Sequence, residues 1–153
     1  MNDENVAAVP AGFEQLPEKL GFADVLQPWY RRVQGDRISF GLIVEAQHCN
    51  MMEICHGGVL MTMADMAGAA GVNLARGVTA GSPTMNISLD FISAGRLGQW
   101  LQADAVQVSL KRSFGFCNGT IEGPEGIVAR YNGTFYIPGH KGMWKGEMPR
   151  SYA

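Results

Sequence analysis

Apolar and polar residues alternate along residues 83–93, where Met85, Ile87, Leu89 and Phe91 interleave with Thr84, Asn86, Ser88 and Asp90. A period of two predicts a strand with one face on a core. Further strands are predicted over 99–110, 114–122 and 127–137. The turns between them are marked by Ala94-Gly95 with Leu97-Gly98, by Lys111-Arg112-Ser113 and by Gly123-Pro124-Glu125-Gly126. Connections this short predict that successive strands are antiparallel neighbours. Upstream, Ile38, Phe40, Leu42 and Val44 alternate with Ser39, Gly41 and Glu45, and Gly35-Asp36 divides the span 30–46 into a short strand and a longer one.

Between these regions the run GGVLMTMADMAGAAGVNLA loses the alternation and carries apolar, mostly small residues on every face. It predicts a helix surrounded by protein, ending at Arg76-Gly77 with a basic last turn and a C-cap glycine. Residues 57–75 approach membrane-spanning length, but their glycines, Thr62 and Asp65 favour a buried helix. The segment FEQLPEKLGFADVLQPW predicts one or two short helices, broken by Pro17 and closed by Pro28. One central helix wrapped by a curved antiparallel sheet is an α+β architecture. A single structural domain is expected, with a lead-in and first strand over 1–34, a body over 35–138, and a tail over 139–153 that lies on the surface or against a partner.

Composition narrows the function classes. The 153 residues, 46% of them hydrophobic, suit one core. A net charge of -2 without a basic block gives no footprint for nucleic acid. Cys49, Cys55 and Cys117 are an odd number, and the first residues, MNDENVAAVP, carry acids where a secretory leader carries bases. Reduced thiols in a cytoplasmic protein, with no membrane partner, are the expectation.

The segment QHCNMMEICHGGVLMTMAD, residues 47–65, holds the candidate chemistry. His48, Cys49, Glu53, Cys55 and His56 invite a metal reading, but the cysteines lack C-x2-C spacing and no second pair follows downstream. No metal is expected, and Cys49 and Cys55 read as small buried hydrophobes. Gly57-Gly58 directly before an apolar helix instead lets backbone N–H groups approach a ligand, at a helix end that favours negative charge. Such donors can form an oxyanion hole; glycines that serve only packing would look the same.

Asp65 is the sole charged residue between His56 and Arg76. A carboxylate in an apolar run costs several kcal/mol unless it is paired or opens on a polar site, so it is a candidate base or nucleophile. It lies eight residues beyond Gly57, about 12 Å along a helix. Gly57 and Asp65 of one chain therefore cannot meet at one carbonyl. If both act on one substrate, two chains pack with antiparallel helices, giving a homodimer with two composite sites.

Asn50, five intervening residues, His56-Gly57-Gly58, Asp65 in an apolar helix and a strand opening at Thr84 together resemble the hotdog-fold thioesterases, in the branch of phenylacetyl-CoA thioesterase-like and other small acyl-CoA thioesterases. The resemblance covers about residues 35–138. It implies a hotdog fold, with a sheet of about six strands around one long helix, and hydrolysis of an acyl-CoA thioester to free acid and coenzyme A. It further implies that Gly57 N–H polarises the carbonyl, that Asn50 holds that oxygen or the attacking water, and that His56 orients the loop and stabilises the departing thiolate. Asp65 of the opposite subunit would be the base or nucleophile, and Thr84 would orient the water. Ser93-Ala94-Gly95 departs from the Arg-Pro that relatives often carry there.

No cofactor is expected, since coenzyme A is part of the substrate. Gly58 is a further candidate substrate contact, Arg96, Lys111 and Arg112 are candidates for its phosphates, and Met61, with Met51, Met52, Met63 and Met66, for the acyl chain. Acyl identity, the choice between coenzyme A and a carrier protein, and assembly of dimers into a homotetramer are left open. Two other readings stand: a hotdog hydratase, whose H-F-P-G and D-x-N-x-x-H patterns do not occur here, and a non-catalytic acyl-thioester-binding module.

Overall fold

The structure is a computed structural model that describes residues 6–77 and 81–138. The tail expected over 139–153 lies outside the described residues.

Strand β1 (Glu14–Gln15) is followed by a 3-10 helix (Gly21–Leu26), β2 (Tyr30–Gln34) and β3 (Arg37–Ile43). A second 3-10 turn (Ala46–His48) leads to helix α1 (Gly57–Arg76), and β4 (Thr84–Phe91), β5 (Trp100–Leu110), β6 (Phe114–Gly123) and β7 (Gly126–Tyr136) follow. The helix follows its sequence signals. His56 is its N-cap, with extended backbone, and Gly77 at φ 66° closes it through N–H bonds to the carbonyls of Asn73 and Leu74. The lead-in forms one short helix, of 3-10 type, between Pro17 and Pro28 as expected, and Glu14–Gln15 ahead of it pairs with β2.

The seven strands of the described residues join one antiparallel sheet in the order β1-β2-β3-β5-β6-β7-β4. Successive strands β5, β6 and β7 pair as the short turns predict, but β4 and β5 do not. β4 pairs with β7 at the far edge, from Thr84 opposite Phe135 to Phe91 opposite Ala129. Residues 92–99 cross between the two strands and pass the start of α1, where Arg96 bridges to Ile54.

Helix α1 lies in the concavity and buries Val59, Leu60, Met63, Ala67 and Val72 against the inward residues Ala103, Cys117, Ile121, Tyr131 and Phe135. Glycines make the close approach possible. A Cβ at Gly68 would lie 2.6 Å from the Phe135 ring, and one at Gly71 2.6 Å from the Ala105 methyl. Among the described residues the helix is not enclosed all round, for Met61, Thr62, Asp65, Met66, Ala69 and Asn73 remain half-buried. That outer stripe carries the one acidic side chain of α1.

Candidate active site

The segment before α1 folds into a small hairpin. His56 N–H donates to His48 O at 2.8 Å and Asn50 N–H to Ile54 O at 2.9 Å, with Cys49 facing Cys55 between them. The chain reverses through residues 51–53, where Glu53 adopts a left-handed φ of 57°. Asn50 holds this turn: its Oδ1 accepts from Met52 N–H at 2.9 Å and its carbonyl from Glu53 N–H at 3.0 Å. With Oδ1 so occupied, the Asn50 amide keeps its N–H2 for donation.

The two histidines proposed by a metal reading are engaged in hydrogen bonds to the backbone. His48 is fully buried, its Nδ1 accepts from Glu45 N–H at 2.9 Å, and its Nε2 lies 2.8 Å from Leu26 O. An accepting Nδ1 requires the neutral tautomer, in which Nε2–H donates to Leu26. This histidine ties the hairpin to the first 3-10 helix. Cys55 is buried, as expected, whereas Cys49 is only half-buried. Among the described residues, no three His, Cys, Asp or Glu side chains gather to hold a metal ion.

At the helix start, His56 Nδ1 accepts from Gly58 N–H at 2.8 Å. The cap therefore commits the Gly58 amide and leaves His56 Nε2–H directed away from it. Gly57 N–H, the first amide of α1, has no hydrogen-bond partner among the described residues. Phe91, at the end of β4, closes over this point, since a Cβ at Gly57 would lie 3.2 Å from its Cζ. The alternating pattern of 83–93 placed Phe91 on the inward face of its strand, but nothing in the sequence tied it to Gly57.

Two turns further along α1, the Thr84 hydroxyl donates to Asp65 Oδ1. Asp65 is half-buried and Thr84 exposed, so the pair opens on the uncovered face of the helix. A carboxylate and a hydroxyl from separate elements thus meet. His56 and Gly57 stand at the helix start, with Asn50 on the hairpin that leads into it, and Asp65 with Thr84 form a second group about 12 Å along the axis.

The sequence profile of the thioesterase superfamily matches residues 52–129, which include His56, Gly57, Asp65 and Thr84. The chain belongs to this thioesterase superfamily. It is 29% identical over 131 residues to the "Putative esterase" of Pseudomonas aeruginosa, covering 85% of this chain and 98% of that one. The PaaI protein from the phenylacetic acid degradation operon of Escherichia coli superposes with a TM-score of 0.63 at 26% identity, over 71% of this chain and 77% of that chain. A hypothetical thioesterase protein of Streptococcus pneumoniae, solved with coenzyme A, superposes with a TM-score of 0.67 at 18% identity, over 84% and 98%. The architecture is the hotdog fold of these thioesterases.

Within this thioesterase-superfamily chain the remaining candidates scatter. Arg96 is exposed beside the helix start, where its N–H donates to Gln99 Oε1 at 2.9 Å. Lys111 and Arg112 occupy the β5–β6 turn at the other end of β5, a strand of 11 residues or about 36 Å. They do not join the Gly57 group of the same chain. Met63 is core, Met61 and Met66 line the outer stripe of α1, and Met51 and Met52 stand out on the hairpin turn.

Proposed function

We propose that the protein is an acyl-CoA thioesterase that works as a homodimer with two composite sites. Each site takes its oxyanion donors from one subunit, Gly57 N–H and the Asn50 amide, and its carboxylate, Asp65, from the other. The observation that carries the reading is the Thr84–Asp65 hydrogen bond. It holds a carboxylate with one oxygen occupied and the other available, on a helix face that the described residues leave uncovered.

The same geometry supports a dimer. Strand β4 is an edge strand, paired on one side by β7, and it exposes Met85 and Phe91. Antiparallel pairing of two β4 edges continues the sheet and lays two α1 helices side by side in opposite directions. Gly57 of one then faces the outer stripe of its partner, where Asp65 lies.

In this site water attacks the thioester carbonyl while Asp65 takes its proton, with Thr84 fixing the carboxylate. Gly57 N–H and Asn50 stabilise the oxyanion, a donor set typically worth about 3–4 kcal/mol. Collapse expels the thiolate of coenzyme A beside His56 Nε2–H. Arg96, beside the helix start, is the candidate for the coenzyme phosphates within the chain, and Lys111 and Arg112, past the far end of β5, are candidates only from the second subunit. The chemistry calls for no metal or redox cofactor, and the free thiols suit a cytoplasmic protein.

The test is release of free thiol from short aliphatic, long aliphatic, phenylacetyl and hydroxybenzoyl CoA esters, comparing the wild type with Asp65→Ala. Hydrolysis by the wild type that falls at least about 100-fold in the variant, with the dimer intact by light scattering, supports the reading. Tight calorimetric binding of the esters without turnover by either protein would replace it with a binding module.

A further inference from the structure

Cys49 and Cys55 occupy a special register in the hairpin. The bonds His56 N–H to His48 O and Asn50 N–H to Ile54 O flank the pair, so the two cysteines are directly opposed at a non-hydrogen-bonded position. At such positions the Cα atoms approach to about 4.5 Å and both side chains leave the same face. Disulfides form at Cα separations of about 4.4–6.8 Å. Both thiols are free, and no movement of the backbone from its paired register is needed to join them.

We propose that Cys49 and Cys55 are a disulfide-forming pair, oxidised by a low-molecular-weight disulfide such as oxidised glutathione. Cys49 is the entry point, because it is half-buried while Cys55 is 5% exposed. Its thiolate attacks one sulfur of the oxidant, forming a mixed disulfide and expelling one thiolate. Cys55 then attacks Cys49 Sγ, the Cys49–Cys55 bond forms, and the second thiolate leaves. One oxidant is reduced to two thiols as two cysteine thiols lose two hydrogens. Cys117 stands apart on β6 and is buried against α1. Burial and the neighbouring Glu53 charge raise the Cys49 thiol above its ordinary range, and burial pushes the Cys55 thiol up to about 12, so both steps are slow at neutral pH and the reaction calls for excess oxidant and long incubation.

The cross-link would close a loop that carries Asn50 at its turn and delivers His56 to the helix cap. Its formation is independent of the proposed hydrolysis and is read without substrate. The folded protein is incubated with oxidised glutathione, alkylated and cleaved after Glu53, which separates the two cysteines. The expected result is a pair of peptides joined only through Cys49 and Cys55, separated again by dithiothreitol, together with slower amide exchange at Asn50 and His56. In Cys55→Ser, glutathione should stay on Cys49 as a mixed disulfide. Stable glutathionylation of Cys49 in the wild type, pairing through Cys117, or no reaction at Cys49 in either protein would overturn the proposal. Turnover of oxidised against reduced enzyme is a separate measurement that rests on the thioesterase reading.

Discussion

Thr84, the first residue of β4, donates its hydroxyl hydrogen to Asp65 Oδ1 in the middle of α1. The contact joins residues 19 apart in sequence and fixes the rotamer of a half-buried carboxylate without neutralising it. In the proposed mechanism Thr84 acts through Asp65, which separates their variants. Asp65→Asn keeps the shape and should lower kcat by about 10²- to 10⁴-fold. Thr84→Val removes one hydrogen bond worth about 1 kcal/mol and should lower kcat roughly fivefold to tenfold with KM nearly unchanged. The double variant should be no slower than Asp65→Asn alone. A multiplicative loss in steady-state kinetics would mean that Thr84 contacts substrate or water by itself.

Gly57 and Phe91 make a second separable pair. Alanine at 57 preserves the N–H, yet its Cβ would meet Phe91 Cζ at 3.2 Å, and the ring, 57% exposed, can yield. Gly57→Ala should therefore fold normally and lose about tenfold in kcat through displaced donor geometry. Adding Phe91→Leu should recover much of that loss. Unfolding midpoints and kcat for the two single variants and the double variant check this, and no recovery would place the damage at the substrate rather than at the ring.

Local signals explain what could be read before the fold was known. Helix α1 has a capping side chain at His56 and a left-handed glycine at 77, both written within a few residues of its ends. The turns around Lys111 and Pro124 likewise fix two hairpins. The position of β4 was hidden because its partner, β7, lies about forty residues downstream, with Asp90 facing Arg130, and no local pattern encodes a crossing of the sheet. Asp65 was legible as an isolated charge in an apolar helix, whereas Thr84 entered only by family resemblance. The engagement of the Asn50 and His56 side chains with neighbouring amides depends on the hairpin register, which residue types alone do not specify.

His48 should prove structural. Replacing it with Ala deletes a fully buried ring and strips Glu45 N–H and Leu26 O of their partner. Together a cavity and two unsatisfied backbone groups should cost about 3 kcal/mol or more. The expected result is a lower urea midpoint, with wild-type stability unchanged by a metal chelator. A chelator-sensitive wild type would instead make His48 a ligand.

Buried thiols should shape the alkaline limit of stability. Burial pushes the Cys55 thiol up to about 12 and the Cys117 thiol up to about 11, from an ordinary value of 9.0. Burial also raises the Tyr131 phenol, whose hydroxyl donates to Asp104 O. These groups remain protonated in the folded chain where the unfolded chain ionises. Their contribution is complete below about pH 9 and is lost as pH rises toward the folded values, at about 1.4 kcal/mol per pH unit for each thiol. The urea midpoint, taken with a non-thiol reductant present, should thus fall between about pH 8.5 and pH 10.5. Cys55→Ala should lower the midpoint at pH 8.5 by removing buried volume, yet make the further decline to pH 10.5 shallower than in the wild type. An unchanged decline would mean that Cys55 ionises in the folded chain as readily as in the unfolded one.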